Sequence, residues 1–178
     1  FRSSFDFNQA FHQLVLDEDS IPVTAFYVGN ILYEFVRLPF GHLVAMQNYC
    51  SLMAILCHAY PSACYYADDL VIVTMDDHAK SSDELFRQHL IDIEGMLDRI
   101  IDAGLKLSAS KCQWAYDSSR PMDWLGFTLA NNILRPQEAK LKAVREFPRP
   151  TTARQALSFV SLASFYRRFI SNFARIAQ

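Results

Sequence analysis

The chain has 178 residues, 51% of them hydrophobic with 14 Phe and 8 Tyr, enough for one well-filled core and at most a small appendage. A net charge of −2 excludes a uniformly basic nucleic-acid binder, and the best apolar run, residues 52–57, is far too short to cross a membrane. Cys50, Cys57, Cys64 and Cys112 form no C-x-x-C pair, which speaks against zinc and for packing in a reducing compartment.

Taken in order, Phe1-Arg2-Ser3-Ser4 does not read as a secretory leader, and a strand-like start without Met suggests an excised piece of a longer protein. Residues 1–7 alternate, with Phe1, Phe5 and Phe7 on one face and Arg2, Ser4 and Asp6 on the other, which predicts a strand. Residues 8–13 form a short helix or turn. Two β-rich runs, 21–28 and 31–38, joined by Gly29-Asn30, predict a hairpin. After Pro39-Phe40-Gly41 a helix is expected over 42–60, with Leu43, Met46, Tyr49, Met53, Ile55 and Leu56 at helical spacing. A second hairpin spans 65–73, and Ser81 and Glu84 stand in capping-box register before a helix ending near Gly104. Its stripe is Leu85, Leu90, Ile93, Leu97, Ile100 and Ile101. Residues 111–116 read as a strand, and 123–129 as another that turns at Asn131-Asn132. Pro136 starts a helix reaching Phe147. Beyond Pro148-Arg149-Pro150, a candidate boundary, Thr151 or Thr152 caps a helical region over 153–173 that breaks near Ser164. There Leu157, Val160, Leu162, Phe165, Phe169 and Ile170 are expected to pack inward.

The chemistry concentrates in Tyr66-Ala67-Asp68-Asp69. Two adjacent carboxylates repel each other and are costly to bury, so they belong at an exposed hairpin tip. Alone the pair is a polar turn. If the strand of Asp6 lies beside that hairpin, three carboxylates meet at one sheet edge and can hold divalent cations that serve phosphoryl transfer. Charge is also uneven. Residues 1–134 carry a formal net of −9 and residues 135–178 a net of +7. An acidic metal-binding body with a basic phosphate-contacting tail fits this pattern, as do two solvated faces.

Further blocks accompany these: Phe5-Asp6-Phe7-Asn8-Gln9-Ala10-Phe11-His12-Gln13, Thr24-Ala25-Phe26, Tyr33-Glu34-Phe35-Val36-Arg37-Leu38-Pro39-Phe40-Gly41, Ala103-Gly104-Leu105-Lys106-Leu107 and Lys111-Cys112. Trp124-Leu125-Gly126-Phe127, Pro148-Arg149-Pro150-Thr151-Thr152 and Tyr166-Arg167-Arg168-Phe169-Ile170 complete the set. In these blocks and their order the chain resembles reverse transcriptases, most closely those of gypsy-type LTR retrotransposons.

The resemblance implies an α+β fold: a palm with an antiparallel sheet, packed helices and partial fingers over 1–147, and the helical start of the thumb over 148–178. It implies an RNA-directed DNA polymerase that transfers nucleotides onto a primer 3′ hydroxyl with two Mg²⁺ ions, Mn²⁺ being a possible substitute. Its partners would be an RNA or DNA template with primer, deoxynucleoside triphosphates, and the remaining fingers, connection, ribonuclease H and integrase regions of a parent polyprotein. The implied location is intracellular, cytoplasmic and particle-associated, with no membrane partner. Without the fingers expected before Phe1, the piece alone would not polymerise.

By the same resemblance Asp6 and Asp68 are the principal metal ligands, Asp69 the third catalytic carboxylate, and the Phe7 carbonyl completes the shell. Phe11 looks like the aromatic gate that excludes a 2′-hydroxyl, although a core Phe is the alternative. Phe40 and Gly41 would line the nucleotide and template pocket, and Tyr66 would pack near the primer terminus. Trp124, Leu125, Gly126 and Phe127 match the primer grip. Lys111 stands where a lysine near the departing pyrophosphate is often found, and a surface lysine is the alternative. Arg149, Arg154, Arg167 and Arg168 would contact phosphates. The segment 42–50 departs from the family's Leu-x-Asn-Ala-Pro-Ala-x-Phe-Gln, reading His42-Leu43-Val44-Ala45-Met46-Gln47-Asn48-Tyr49-Cys50. That departure and the missing fingers motivate a second hypothesis, a decayed or co-opted nucleic-acid-binding fragment without catalysis. A nucleotide cyclase on a similar sheet is a third.

Overall fold

A computed structural model describes residues 1–75 and 80–178. They divide into two compact units, Phe1–Arg120 and Pro121–Gln178.

The first unit is built on a sheet ordered β4-β5-β1-β6, comprising β4 (Ala63–Tyr66), β5 (Asp69–Val73), β1 (Arg2–Asp6) and β6 (Gln113–Tyr116). All of these pairings are antiparallel. Helices α1 (Ala45–Cys57) and α2 (Ser82–Asp102) pack against it. Phe5, Phe7, Tyr49, Met53, Leu70, Ile72, Met96 and Ile100 form the core between the layers. The alternation expected for residues 1–7 holds for Phe5 and Phe7. Arg2, expected on the open face, is buried instead, its guanidinium donating to the carbonyls of Asp117, Ser118 and Arg120.

Both helices bury a narrower stripe than their composition suggests. Helix α1 is apolar on most sides, and a 3.6-residue period selects Ala45, Tyr49, Met53 and Leu56 for the core. Leu43, Met46 and Ile55 therefore face outward, a correction to the predicted stripe. In α2 the same period runs through Leu85, His89, Ile93, Met96 and Ile100, leaving Leu90 and Ile101 exposed and a histidine inside. The capping box is formed: the Glu84 carboxylate accepts from the Ser81 N–H at 2.7 Å and the Ser81 hydroxyl accepts from the Glu84 N–H at 3.3 Å. Gly104 ends the helix in the left-handed conformation, φ +68°.

The first hairpin is shorter than expected. Pro22 opens a 3₁₀ turn over Pro22–Thr24, and only β2 (Phe26–Val28) and β3 (Ile31–Tyr33) pair across Gly29-Asn30. Residues Ala10–Gln13 form another 3₁₀ turn.

The second unit is a meander, β7 (Met122–Trp124), β8 (Phe127–Ala130) and β9 (Ile133–Pro136), followed by α3 (Glu138–Arg145), α4 (Ala153–Ser164) and the short α5 (Phe173–Ile176). The single strand predicted over 123–129 is two strands. Leu125 and Gly126 both take positive φ, 50° and 78°, and fold the run into a hairpin pairing Trp124 with Phe127. Pro136 closes β9 rather than opening a helix, which starts two residues later. Thr152 caps α4, its side chain accepting from the Gln155 N–H, and the helix stops at Ser164 as expected. The inward set is different: Ala163 and Tyr166 are buried, whereas Leu157 is 67% exposed and Phe165 56% exposed. Pro148-Arg149-Pro150 interrupts the chain within this unit. Among the described residues no helix is long and apolar enough to cross a membrane.

Candidate active site

Antiparallel register brings the acidic residues together. In the β1–β5 ladder Asp6 stands opposite Asp69, and Asp68 occupies the turn that joins β4 to β5. The turn is tight because Ala67 adopts φ +53°, a left-handed conformation that costs a non-glycine residue about 1 kcal/mol. The strand of Asp6 lies beside the hairpin, the condition set for the acids to meet, and since β5 and β1 are the inner strands the acidic residues stand at the strand ends in mid-sheet.

Electrostatics reflects this crowding. Partial desolvation raises the Asp69 carboxyl above the usual carboxylate range, and the charges of Asp68 and Asp6 raise it further. Tyr49, fully buried in α1, is held protonated first by burial and then by the nearby Asp68 charge. Its hydroxyl has no hydrogen-bond partner among the described residues.

The backbone after Asp6 is pinned from both sides. The Asp6 carbonyl accepts the Ser108 N–H at 2.8 Å, and the Asn8 N–H donates to the Lys106 carbonyl at 3.0 Å. These two bonds flank the Phe7–Leu107 bridge and leave the Phe7 carbonyl outside that pairing. The Gln13 side chain clamps the same segment, donating to the Asn8 and Lys106 carbonyls and accepting the Lys106 N–H. Cys112 Sγ accepts the Asp6 N–H at 3.3 Å, and Lys111 Nζ lies 3.6 Å from Asp6 Oδ1. Sequence reasoning missed Tyr49, Gln13 and Cys112 as neighbours of the acidic cluster. The Lys111-Cys112 block was the available signal for the last.

The carboxylate oxygens of Asp6, Asp68 and Asp69 are hard donors, of the kind that suits Mg²⁺ or Ca²⁺ and not thiophilic metals. Among the described residues no group of three His, Cys, Asp or Glu stands ready to hold an ion alone.

The remaining predicted residues are distributed as follows. Phe11 is only 8% exposed and belongs to the core, packing on Tyr49 (5.1 Å between ring centroids) and edge-on to Phe40 (5.3 Å). Phe40 is largely exposed and, with Gly41, His42, His12, Thr24 and Phe35, lines a cleft of about 520 Å³ that none of the three aspartates enters. Tyr66 pairs with Asp69 across the β4–β5 ladder and is exposed. In the second unit Trp124 and Phe127 flank the Leu125-Gly126 turn. That turn is locked from the junction between α4 and the 3₁₀ turn Arg167–Phe169. Phe127 stacks on Phe165 at 5.4 Å, and the buried Tyr166 donates its hydroxyl to the Gly126 carbonyl at 3.1 Å. A Cβ on Gly126 would come within 3.2 Å of the Phe165 ring. Arg149, Arg154, Arg167 and Arg168 are all exposed in this unit.

Residues 2–129 match the family described as reverse transcriptase (RNA-dependent DNA polymerase). The chain belongs to the reverse transcriptase family. Similar proteins include the retrovirus-related Pol polyproteins of the Drosophila melanogaster transposons gypsy, 32% identical over 184 residues, and 297, 31% identical over 178 residues. These matches cover 100% and 99% of this reverse transcriptase chain, which spans 16% of either polyprotein. The resemblance to gypsy-type retrotransposon enzymes therefore holds along the whole chain. The fold is likewise that of a solved foamy viral protease-reverse transcriptase bound to double-stranded DNA: TM-score 0.84 at 22% identity, over 98% of this chain and 29% of that one. A foamy viral structure with an RNA/DNA hybrid matches at TM-score 0.76, covering 93% of this chain and 21% of that one, again at 22% identity.

Proposed function

We propose that this chain supplies the catalytic palm, with partial fingers (1–147), and the first part of the thumb (148–178) of an RNA-directed DNA polymerase encoded by a retrotransposon polyprotein. One observation carries the reading: in a chain of this family, Asp6 and Asp69 face each other across a ladder with Asp68 at the adjoining turn. The reaction joins a primer 3′ hydroxyl to the α-phosphorus of a deoxynucleoside triphosphate and releases pyrophosphate. Two divalent cations, Mg²⁺ with Mn²⁺ as substitute, would lower the pKa of the hydroxyl and neutralise charge on the leaving group. Asp6 and Asp68 would hold them, with Asp69 and the Phe7 carbonyl as further oxygen donors.

The other residues position the reactants. Phe40 and Gly41 present the exposed wall of the cleft to the incoming nucleotide and template, and Phe11, packed beneath Phe40, sets the height of that wall. Tyr66 shares the ladder with Asp69 and would support the primer terminus. The turn 124–127 would grip the primer backbone, since a misplacement of about 1 Å can cost a hundredfold in rate. Arg149, Arg154, Arg167 and Arg168 would make sequence-independent phosphate contacts to template and primer, weakened by salt. Ribonuclease H, connection and integrase regions would act from the same polyprotein, in cytoplasmic particles.

The test is primer extension on an RNA template by the full polyprotein-derived enzyme. Asp68→Asn is expected to abolish nucleotide incorporation while leaving the folded fraction unchanged. Full activity in that variant would remove the basis of the reading.

A further inference from the structure

Lys111 reaches the catalytic cluster by construction, not by chance exposure. Asp6 itself organises the turn that carries the lysine. Its carbonyl takes the Ser108 N–H, the Ser108 carbonyl takes the N–H groups of both Lys111 and Cys112, and Cys112 Sγ takes the Asp6 N–H. The loop over 108–112 is thereby closed onto the residue whose carboxylate it faces. Lys111 Nζ ends 3.6 Å from Asp6 Oδ1, and both side chains stay wet, 68% and 40% exposed. The neighbouring carboxylates Asp68 and Asp69 have no ion-pair partner among the described residues. Of three crowded acids, Asp6 alone has a cationic partner among the described residues.

We infer that Lys111 is the resident counter-ion of Asp6, holding its carboxylate until a divalent cation takes it, so that metal binding and release of the lysine are one coupled event. The inference rests on the metal-binding reading proposed above and adds a competitor to it. Two physical facts support the exchange. An exposed ion pair between a lysine and a carboxylate is weak, so an arriving ion of twice the charge can replace it. An ammonium and a dication within a few ångströms repel each other even in water, so the two cannot share Asp6 without a cost that lowers metal affinity. By linkage, whatever draws Lys111 away must tighten the metal by the same factor.

The probe is Mn²⁺, titrated at low ionic strength and followed by electron paramagnetic resonance of the free ion. The proteins are the parent chain, Lys111→Gln, Lys111→Arg and the same set carrying Asp6→Asn. Lys111 is exposed and, among the described residues, its only ion pair is the one to Asp6, so the substitutions leave the fold intact, which circular dichroism checks. Lys111→Gln is expected to bind Mn²⁺ about tenfold more tightly, a change of about 1.4 kcal/mol, while Lys111→Arg stays within about twofold of the parent. The gain should shrink as salt rises and vanish on the Asp6→Asn background. Unchanged or weaker binding by Lys111→Gln, or a gain that survives Asp6→Asn, overturns the inference alone. Mn²⁺ binding that ignores Asp6→Asn in every protein, or no binding in any of them, overturns the metal site with it.

Discussion

Tyr49 carries a hydroxyl into the interior, and that oxygen has no partner among the described residues. An unsatisfied buried polar group costs about 1–3 kcal/mol. Tyr49→Phe is therefore expected to raise stability by about 1 kcal/mol, read as a higher urea midpoint with an unchanged slope. A lower midpoint would mean that the hydroxyl is bonded in solution. The same residue touches Phe11 and Phe7 and feels Asp68, so one position lies under both the Phe11–Phe40 wall of the cleft and the acidic turn. Nothing in local sequence marks it, because an aromatic residue at helical spacing reads as core and its vertical neighbours come from other strands.

The departure over 42–50 matters at the level of the helix. Where the family has Asn and Pro at the start of α1, this chain has Val44 and Met46, and Val44 at the N-cap offers no side-chain acceptor to the first turn. Asparagine is among the best residues for that position, and caps contribute about 0.5–2 kcal/mol. Val44→Asn, at an exposed site, is expected to stabilise the first unit by about 0.5–1 kcal/mol in thermal or urea unfolding. No gain would show that the turn before Ala45 already satisfies those N–H groups. Helix α2, with its capping box and glycine stop, shows what legible ends look like: Ser81, Glu84 and Gly104 each state their role in residue type and spacing. The acidic hairpin was equally readable, since period two and paired aspartates leave few placements. The break at Leu125-Gly126 was not, because leucine gives no hint of a positive φ. The choice of buried face was also hidden in α1 and α4, where apolar residues occupy most sides and only packing partners decide.

Across the first unit, His89 ties the sheet to α2. Its Nε2 lies 2.8 Å from Ser3 Oγ and its Nδ1 2.8 Å from Thr74 Oγ1, while Ser3 Oγ also accepts the Ala115 N–H. The network is satisfied when Ser3 donates to Nε2 and Nδ1–H donates to Thr74, so the ring is neutral. A second proton would leave the Ser3 hydrogen without an acceptor. Burial, then the terminal amino group, lowers the His89 pKa to about 4, against an opposing pull from Asp92. Because the folded value lies below the ordinary 6.5, the stabilisation is complete above pH 6.5 and is lost as pH falls toward 4, by up to about 3 kcal/mol. The urea midpoint of the parent should fall through that window more steeply than that of His89→Gln, and parallel slopes would contradict a neutral buried ring. The network has the same long reach as the strand it anchors. Strand β1 is clasped by residues 69–73 on one side and 113–116 on the other, so Asp6 meets Asp69 as soon as β5 folds back, while its second flank waits for β6. Such non-local closure is slow to form. For a chain emerging from the ribosome, the acidic pair is thus joined before its support is complete, and a chain cut short before residue 106 would bring Asp6 and Asp69 together without the Lys106, Ser108 and Cys112 contacts that pin the backbone around Asp6.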